Sequence, residues 1–331
     1  MKILVVKNYS IGNVLLSTPL LRVLKQLGHE IVVIVEHLGY EVLRGNPNLS
    51  GVWSWYPGQG DHEHQLEEAV KRTGFDLAIN SIPTHGDNAD RFLRHAKDQW
   101  TTGRIETWTR HEADMNLDYA RQLGWTGDWE PSECWVPDEV DDEAETRMGE
   151  IENDRPVVGL HFGCVKHRNW IYKRWPIESF MATMQILYTQ FRCRFMLVGG
   201  AAERDEADQI MHSLDPPLSH DVMDFVGHLS LKQTAAFIKH CQVFISNDSG
   251  PMHIAAAVGT PVVAIFGMSH PVKNAPWTDP QDPKKVRLAL AHDLWCRPCF
   301  GTMRHGMCER GDCLVEVTPK YVANLATELL A

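Results

Sequence analysis

Val243-Phe244-Ile245-Ser246-Asn247-Asp248-Ser249-Gly250-Pro251-Met252-His253-Ile254-Ala255-Ala256-Ala257 is an apolar run, a polar turn and a run of small residues in direct succession. Val243 to Ser246 reads as a buried strand and Met252 to Val258 as a helix. Gly250 removes the side chain where a ligand would approach the backbone. The first N–H groups of a helix lie at the positive end of its dipole, so the turn suits an anion. Asp248 would repel a phosphate and suits sugar hydroxyls or the loop itself. His253 offers a hydrogen bond or a proton to a diphosphate. The competing reading is an ordinary capped helix, with Asp248 as cap and His253 packed inside.

Outward from this stretch the chain alternates strand and helix. Downstream, Val262 to Phe266 is a strand, and Thr318-Pro319 opens a final helix over 318–331 with Thr as cap. Upstream lie Val157 to His161 (strand), Pro176 to Thr189 (helix), Phe195 to Val198 (strand, then Gly199-Gly200) and Leu231 to His240 (helix). The first half repeats the rhythm: strand Ile3 to Val6, helix Val14 to Leu27, strand Ile31 to Val35, helix Gln65 to Arg72, strand Leu77 to Asn80. Such alternation predicts α/β architecture with mainly parallel sheets covered on both faces. The acidic stretch Asp138 to Arg155 reads as a surface helix and link. It divides the chain into domains 1–150 and 151–331, two doubly wound units with ligands expected in a cleft at the C-terminal strand ends.

The chain has 331 residues, 44% hydrophobic and 23% charged, enough for two cores. Its net charge of −11 argues against a nucleic-acid polymer as partner. No apolar run approaches the roughly 20 residues of a membrane span. The N-terminal run is too short for a signal peptide, so the expected compartment is the cytoplasm.

Three further constellations carry chemistry. Lys173-Arg174-Trp175-Pro176 places two cations ahead of a helix, where they suit a diphosphate; a solvated basic turn over a buried Trp175 is the alternative. Lys7-Asn8-Tyr9-Ser10-Ile11-Gly12-Asn13-Val14 joins the first strand to the first helix, with Gly12 permitting close backbone approach; a plain turn capped near Asn13 is the alternative. Cys296, Cys299, Cys308 and Cys313 form a C-x2-C-x8-C-x4-C cluster that suits a closed, structural zinc or iron site in a reducing compartment. Two disulfides or four free thiols compete with that reading.

Taken together, the first-loop pattern running on to Thr18-Pro19-Leu20-Leu21, the Lys173-Arg174-Trp175-Pro176 block and Asp248-Ser249-Gly250-Pro251-x-His253 resemble glycosyltransferase family 9, the heptosyltransferases of the lipopolysaccharide core. The resemblance covers nearly the whole chain. It implies the GT-B fold, with two Rossmann-like domains facing across a cleft, acceptor on the first and nucleotide-sugar donor on the second. It implies an inverting transfer from ADP-heptose to a lipid-linked or protein-linked glycan, without a catalytic metal, peripheral at the cytoplasmic face of the inner membrane. By position, Lys173 corresponds to the donor-phosphate lysine and Asp248 to the heptose contact. Ser249, Gly250 and His253 would surround the diphosphate, with Ser10 and Gly12 in the first loop. Leu229 falls where adenine packs, and Glu203 is placed for the ribose. Some members carry a cysteine-bound iron finger comparable to 296–313.

One residue departs from the pattern. The family's first loop carries aspartate, its proposed general base, where this chain has Asn13. An amide cannot take the proton as a carboxylate does. His85, Asp87 and Asp90 are candidates to replace it, or the acceptor hydroxyl needs little assistance. A weakly active or non-catalytic nucleotide-sugar binder, or an epimerase or hydrolase on the same fold, are the rival functions.

Overall fold

The computed structural model describes residues 1–7, 10–81, 89–101, 109–149, 155–164, 173–282, 284–292, 294–300, 302, 308 and 311–331. The chain forms two compact units, Met1–Trp135 and Val136–Ala331.

The first unit runs β1 (Lys2–Lys7), α1 (Ile11–Leu15), α2 (Thr18–Gln26), β2 (Glu30–Glu36), α3 (His37–Leu43), β3 (Gly51–Trp55), α4 (Gly60–Thr73), β4 (Leu77–Asn80), α5 (Asp90–Leu93), β5 (Asp98–Thr101) and α6 (Glu112–Gln122). Its sheet has the order β3-β2-β1-β4-β5, with every pairing parallel. Ile3 to Val6 and Ile31 to Val35 are buried, as continuous apolar strands are when helices cover both faces. β1 lies between β2 and β4, so successive connections leave it in opposite directions. That is the switch point where a doubly wound sheet opens a crevice.

The helix expected over Val14 to Leu27 is two helices. Ser17 Oγ donates to the Val14 carbonyl and Thr18 Oγ1 to the Leu15 carbonyl, both at 2.7 Å. These side chains compete with the backbone for the last carbonyls of α1. Pro19, which lacks an N–H, is accommodated only because it stands in the first turn of α2.

The second unit runs α7 (Asp138–Gly149), β6 (Val157–His161), α8 (Ile177–Phe191), β7 (Arg194–Leu197), α9 (Arg204–Ser213), β8 (Val222–Asp224), α10 (Leu231–Lys239), β9 (Val243–Asn247), α11 (Gly250–Ala257), β10 (Val262–Phe266), α12 (Pro271–Asn274), β11 (Val286–Leu290), α13 (Asp312–Val315) and α14 (Pro319–Leu330). The sheet order is β11-β10-β9-β6-β7-β8, again all parallel, with the switch point between β6 and β9. One core joins Val158, Leu160, Trp175, Phe180, Phe195 and Ile245 to Val322 and Ala326 of α14.

A boundary at residue 150 would assign α7 to the first unit, but the structure places that helix in the second. Asp141 pairs with Lys239 and His240 at the end of α10, and Arg147 lies 5.0 Å from the Phe237 ring. Only Ala144 of α7 is buried, so charge and one aromatic contact seat it rather than an apolar stripe.

Candidate functional site

In the second unit the polar residues expected from the sequence converge at the β6/β9 switch point. Asn247 ends β9 fully buried. Its Oδ1 accepts from the Trp175 backbone N–H at 3.0 Å, and its Nδ2 donates to the Phe162 carbonyl at 2.7 Å. One amide thus stitches together the end of β9, the loop after β6 and the approach to α8. The Trp175 indole is anchored below by the Val317 carbonyl at 2.9 Å. Lys173 is thereby held beside Asp248, Nζ to Oδ2 at 2.6 Å, and both are buried.

Ser269, just beyond β10, donates to the same Asp248 oxygen. Burial pushes the Asp248 carboxyl upward, but the Lys173 charge and hydrogen bond, with Ser269, overcome it and hold the group below the usual carboxylate range; His253 adds a smaller contribution. Asp248 is therefore an ionised, buried carboxylate and not a helix cap. Ser249 takes the cap position of α11 without a side-chain cap bond. Its hydroxyl lies 3.0 Å from His161 Nδ1. Burial, with the charge of Arg174, depresses His161 to about 3, so the ring is neutral at physiological pH. The result is a helix start whose capping side chain has turned away, beside a buried ammonium: a place for an anion.

The other residues assigned to the donor fall along the same strand ends. Glu203 follows β7, but its Oε2 accepts from the Gly200 N–H at 2.9 Å and its Oε1 faces Arg174 at 3.4 Å. Leu229 is half-buried in the loop before α10, and the left-handed Gly227 there stands close to Ala201. Arg174 does not join Lys173. It pairs with Glu206 at 2.8 Å and donates to the Cys164 carbonyl at 3.0 Å, so it braces the loops.

The cysteine segment docks on this region. The N–H groups of Cys299 and Phe300 both donate to the Met268 carbonyl at 3.1 Å, and Phe300 lies 5.4 Å from Lys173 Nζ. All four are thiols rather than members of a disulfide. Burial first, then neighbouring cysteines, raises Cys299; burial raises Cys313 to about 11. Among the described residues no three His, Cys, Asp or Glu side chains converge as metal ligands. The zinc or iron site expected from the cysteine spacing, the compartment and the resemblance is therefore not supported among the described residues.

In the first unit a second polar cluster occupies the β1/β4 switch point. Lys7 ends β1 buried. It donates to Glu112 Oε1 at 2.9 Å and to the Ser81 carbonyl at 3.0 Å. Asn13 Nδ2 donates to both Glu112 oxygens at 2.8 Å, and Ser10 Oγ donates to Asn13 Oδ1 at 2.7 Å. Gly12 is buried within α1. Behind them Ser81 Oγ donates to Asn116 Oδ1 at 2.5 Å, and Asn116 Nδ2 to the Leu16 carbonyl at 2.9 Å. Asp90 is exposed at the start of α5. Asp87 and His85 lie outside the described residues. Glu112 was missed by sequence reasoning, and Lys7, quoted at the head of the first loop, was given no role of its own. A lysine closing an apolar strand, and a glutamate opening a helix after His111, were the available signals. Arg91, Arg94 and Arg110 are committed to ion pairs with Glu63, Glu67, Asp114 and Asp118.

The sequence model for glycosyltransferase family 9 (heptosyltransferase) matches residues 116–305. Lipooligosaccharide heptosyltransferase 2 of Haemophilus influenzae is 28% identical over 178 residues, 54% of this chain and 48% of that protein. The chain spans about half the length of the curated relatives it matches. Among solved structures, a family 9 glycosyl transferase from Veillonella parvula superposes with a TM-score of 0.81 at 21% identity, covering 99% of this chain and 97% of that one. Escherichia coli ADP-heptose LPS heptosyltransferase II gives 0.76 at 20% identity, covering 100% and 98%. Two doubly wound parallel units are thus the GT-B fold of these structures.

Proposed function

Because the chain belongs to glycosyltransferase family 9, we propose that it is an inverting glycosyltransferase that moves heptose from ADP-heptose to a glycan acceptor of lipopolysaccharide-core type. The observation that carries the reading is the buried Lys173–Asp248 pair beside the helix start at Ser249-Gly250. An acceptor hydroxyl attacks the anomeric carbon, the bond to the diphosphate breaks with its electron pair leaving on ADP, and the hydroxyl proton passes to solvent or to the departing diphosphate. The free N–H groups of α11 and the Lys173 ammonium stabilise the charge that develops on the leaving group. Asp248, ionised and fixed, offers its second oxygen to sugar hydroxyls. His253, Leu229 and Glu203 are proposed for the diphosphate, adenine and ribose. Ser10 and Gly12 are proposed for the donor from the first loop, and Asn13 is proposed on the acceptor side, with Asp87 as a further candidate there. No helix among the described residues is long and apolar enough to cross a membrane. A lipid-linked acceptor would be met at the cytoplasmic face of the inner membrane.

Single-turnover transfer from ADP-heptose to a core oligosaccharide tests the reading. Lys173→Ala and Asp248→Ala should each lower the rate by about 100-fold or more. Unchanged rates in both would place the donor elsewhere. The metal expectation is decided separately, by zinc and iron analysis of the purified protein: less than a tenth of an equivalent of either ends it.

A further inference from the structure

The amide at position 13 has an identifiable partner. Both Glu112 oxygens lie 2.8 Å from Asn13 Nδ2, and Lys7 Nζ lies 2.9 Å from Oε1. A carboxylate only accepts, so the Asn13 atom facing it must be the nitrogen. The amide oxygen then points the other way, to Ser10 Oγ at 2.7 Å. Glu112 is buried, Asn13 half-buried and Ser10 exposed, so the chain of contacts runs outward from Lys7 to the surface of the crevice. Ser10 presents to Asn13 Oδ1 the kind of hydroxyl that a sugar would.

We propose that the carboxylate of the acceptor-side loop resides at Glu112, and that Glu112 is a positioning residue. It holds the Asn13 amide so that a substrate hydroxyl meets an oxygen and not an N–H. This rests on the glycosyltransferase reading. Charge gives the reason for an amide at 13. Lys7 from β1 is a cation that faces Glu112. His111 caps α6 by accepting from the Ala113 N–H at 3.1 Å, and Ser81 contributes only a carbonyl to Lys7. Glu112 opens α6, whose dipole favours its ionised form. A carboxylate at position 13 would stand in direct contact with that of Glu112, where Asn13 now lies 2.8 Å from both of its oxygens, and the like charges would lead one of the two to retain a proton.

Two measurements on the full chain test this. In Asn13→Asp, carbon-13 titration should find one carboxyl of the 13/112 pair at least about 2 pH units above an ordinary carboxylate. Asn13→Asp/Glu112→Gln should abolish that high titration. In transfer from ADP-heptose to a deacylated core oligosaccharide, Glu112→Gln should lower kcat about tenfold or more with the donor KM unchanged. Asn13→Asp should give a rate that climbs with pH as the shared proton leaves. The double variant should recover to within about threefold of the parent with no such climb. An ordinary titration in Asn13→Asp overturns the inference, as does a Glu112→Gln variant with parental kcat. A parent chain that transfers nothing overturns the glycosyltransferase reading instead, and the carbon-13 titration then decides the inference alone.

Discussion

Asp248 has almost no contact with water, and its charge depends on Lys173 at 2.6 Å. Removing one partner of a buried pair strands the other, at a cost of about 3–5 kcal/mol. Lys173→Met should therefore unfold more readily than the double variant Lys173→Met/Asp248→Leu, measured by urea denaturation. Equal loss in both would show that the pair is not coupled. His161 adds a pH dependence. Its folded value is about 3, against 6.5 for the free side chain. Between these values the unfolded chain binds a proton that the folded chain does not, so stability falls as pH falls through that window, at roughly 1.4 kcal/mol for each unit. Asp248, also depressed, acts in the same direction at lower pH. Unfolding midpoints from pH 7 to pH 4 should drop, and His161→Gln should flatten the drop; an unchanged slope would assign it to other groups. At this scale the sequence displayed the turn at Asp248 and the lysine at 173, because both stand beside recognisable elements. It did not display Ser269 as the partner of Asp248, His161 as that of Ser249, or Glu112 as that of Lys7 and Asn13. Those pairings are made by strand order, which no local spacing encodes.

Elements divide in the same way. The central strands β1, β2, β6, β9 and β10 were legible because burial on both faces leaves mainly apolar residues in their interiors, with the polar ones at their ends. β5, Asp-Gln-Trp-Thr, is an edge strand with mostly exposed residues and has no apolar pattern to read. α10 was legible as Leu231 to His240, and the structure adds the capping box that starts it: Ser230 Oγ accepts from the Gln233 N–H, and Gln233 Oε1 from the Ser230 N–H. Ser230→Ala should cost about 1 kcal/mol in chemical denaturation. No change would mean that packing alone sets the helix start. Cys299 and Phe300 are tied to Met268, and the Phe300 ring lies against Lys173, so these two residues border the site proposed for the donor. Phe300→Ala should raise the donor KM by about threefold to tenfold through loss of a contact of roughly 1 kcal/mol. A parental KM would separate the segment from the donor site.

On the scale of the molecule, the second unit carries a complete sheet and its own core. A fragment of residues 136–331 should unfold cooperatively in urea. A fragment of 151–331 lacks α7 and with it the Asp141 contacts to Lys239 and His240 and the Arg147 cover of Phe237. It should unfold at lower denaturant. Identical midpoints would make α7 an appendage. The first unit holds a different kind of constraint. Asn13 and Glu112 are 99 residues apart in the chain yet share two hydrogen bonds. They are therefore a single unit of inheritance. A lineage that acquires aspartate at 13 first passes through a form with two carboxylates in contact. One that exchanges Glu112 for an amide first passes through a form with Lys7 uncompensated. Either single change disturbs the charge beside Lys7, so the two positions are expected to change together or to be kept together.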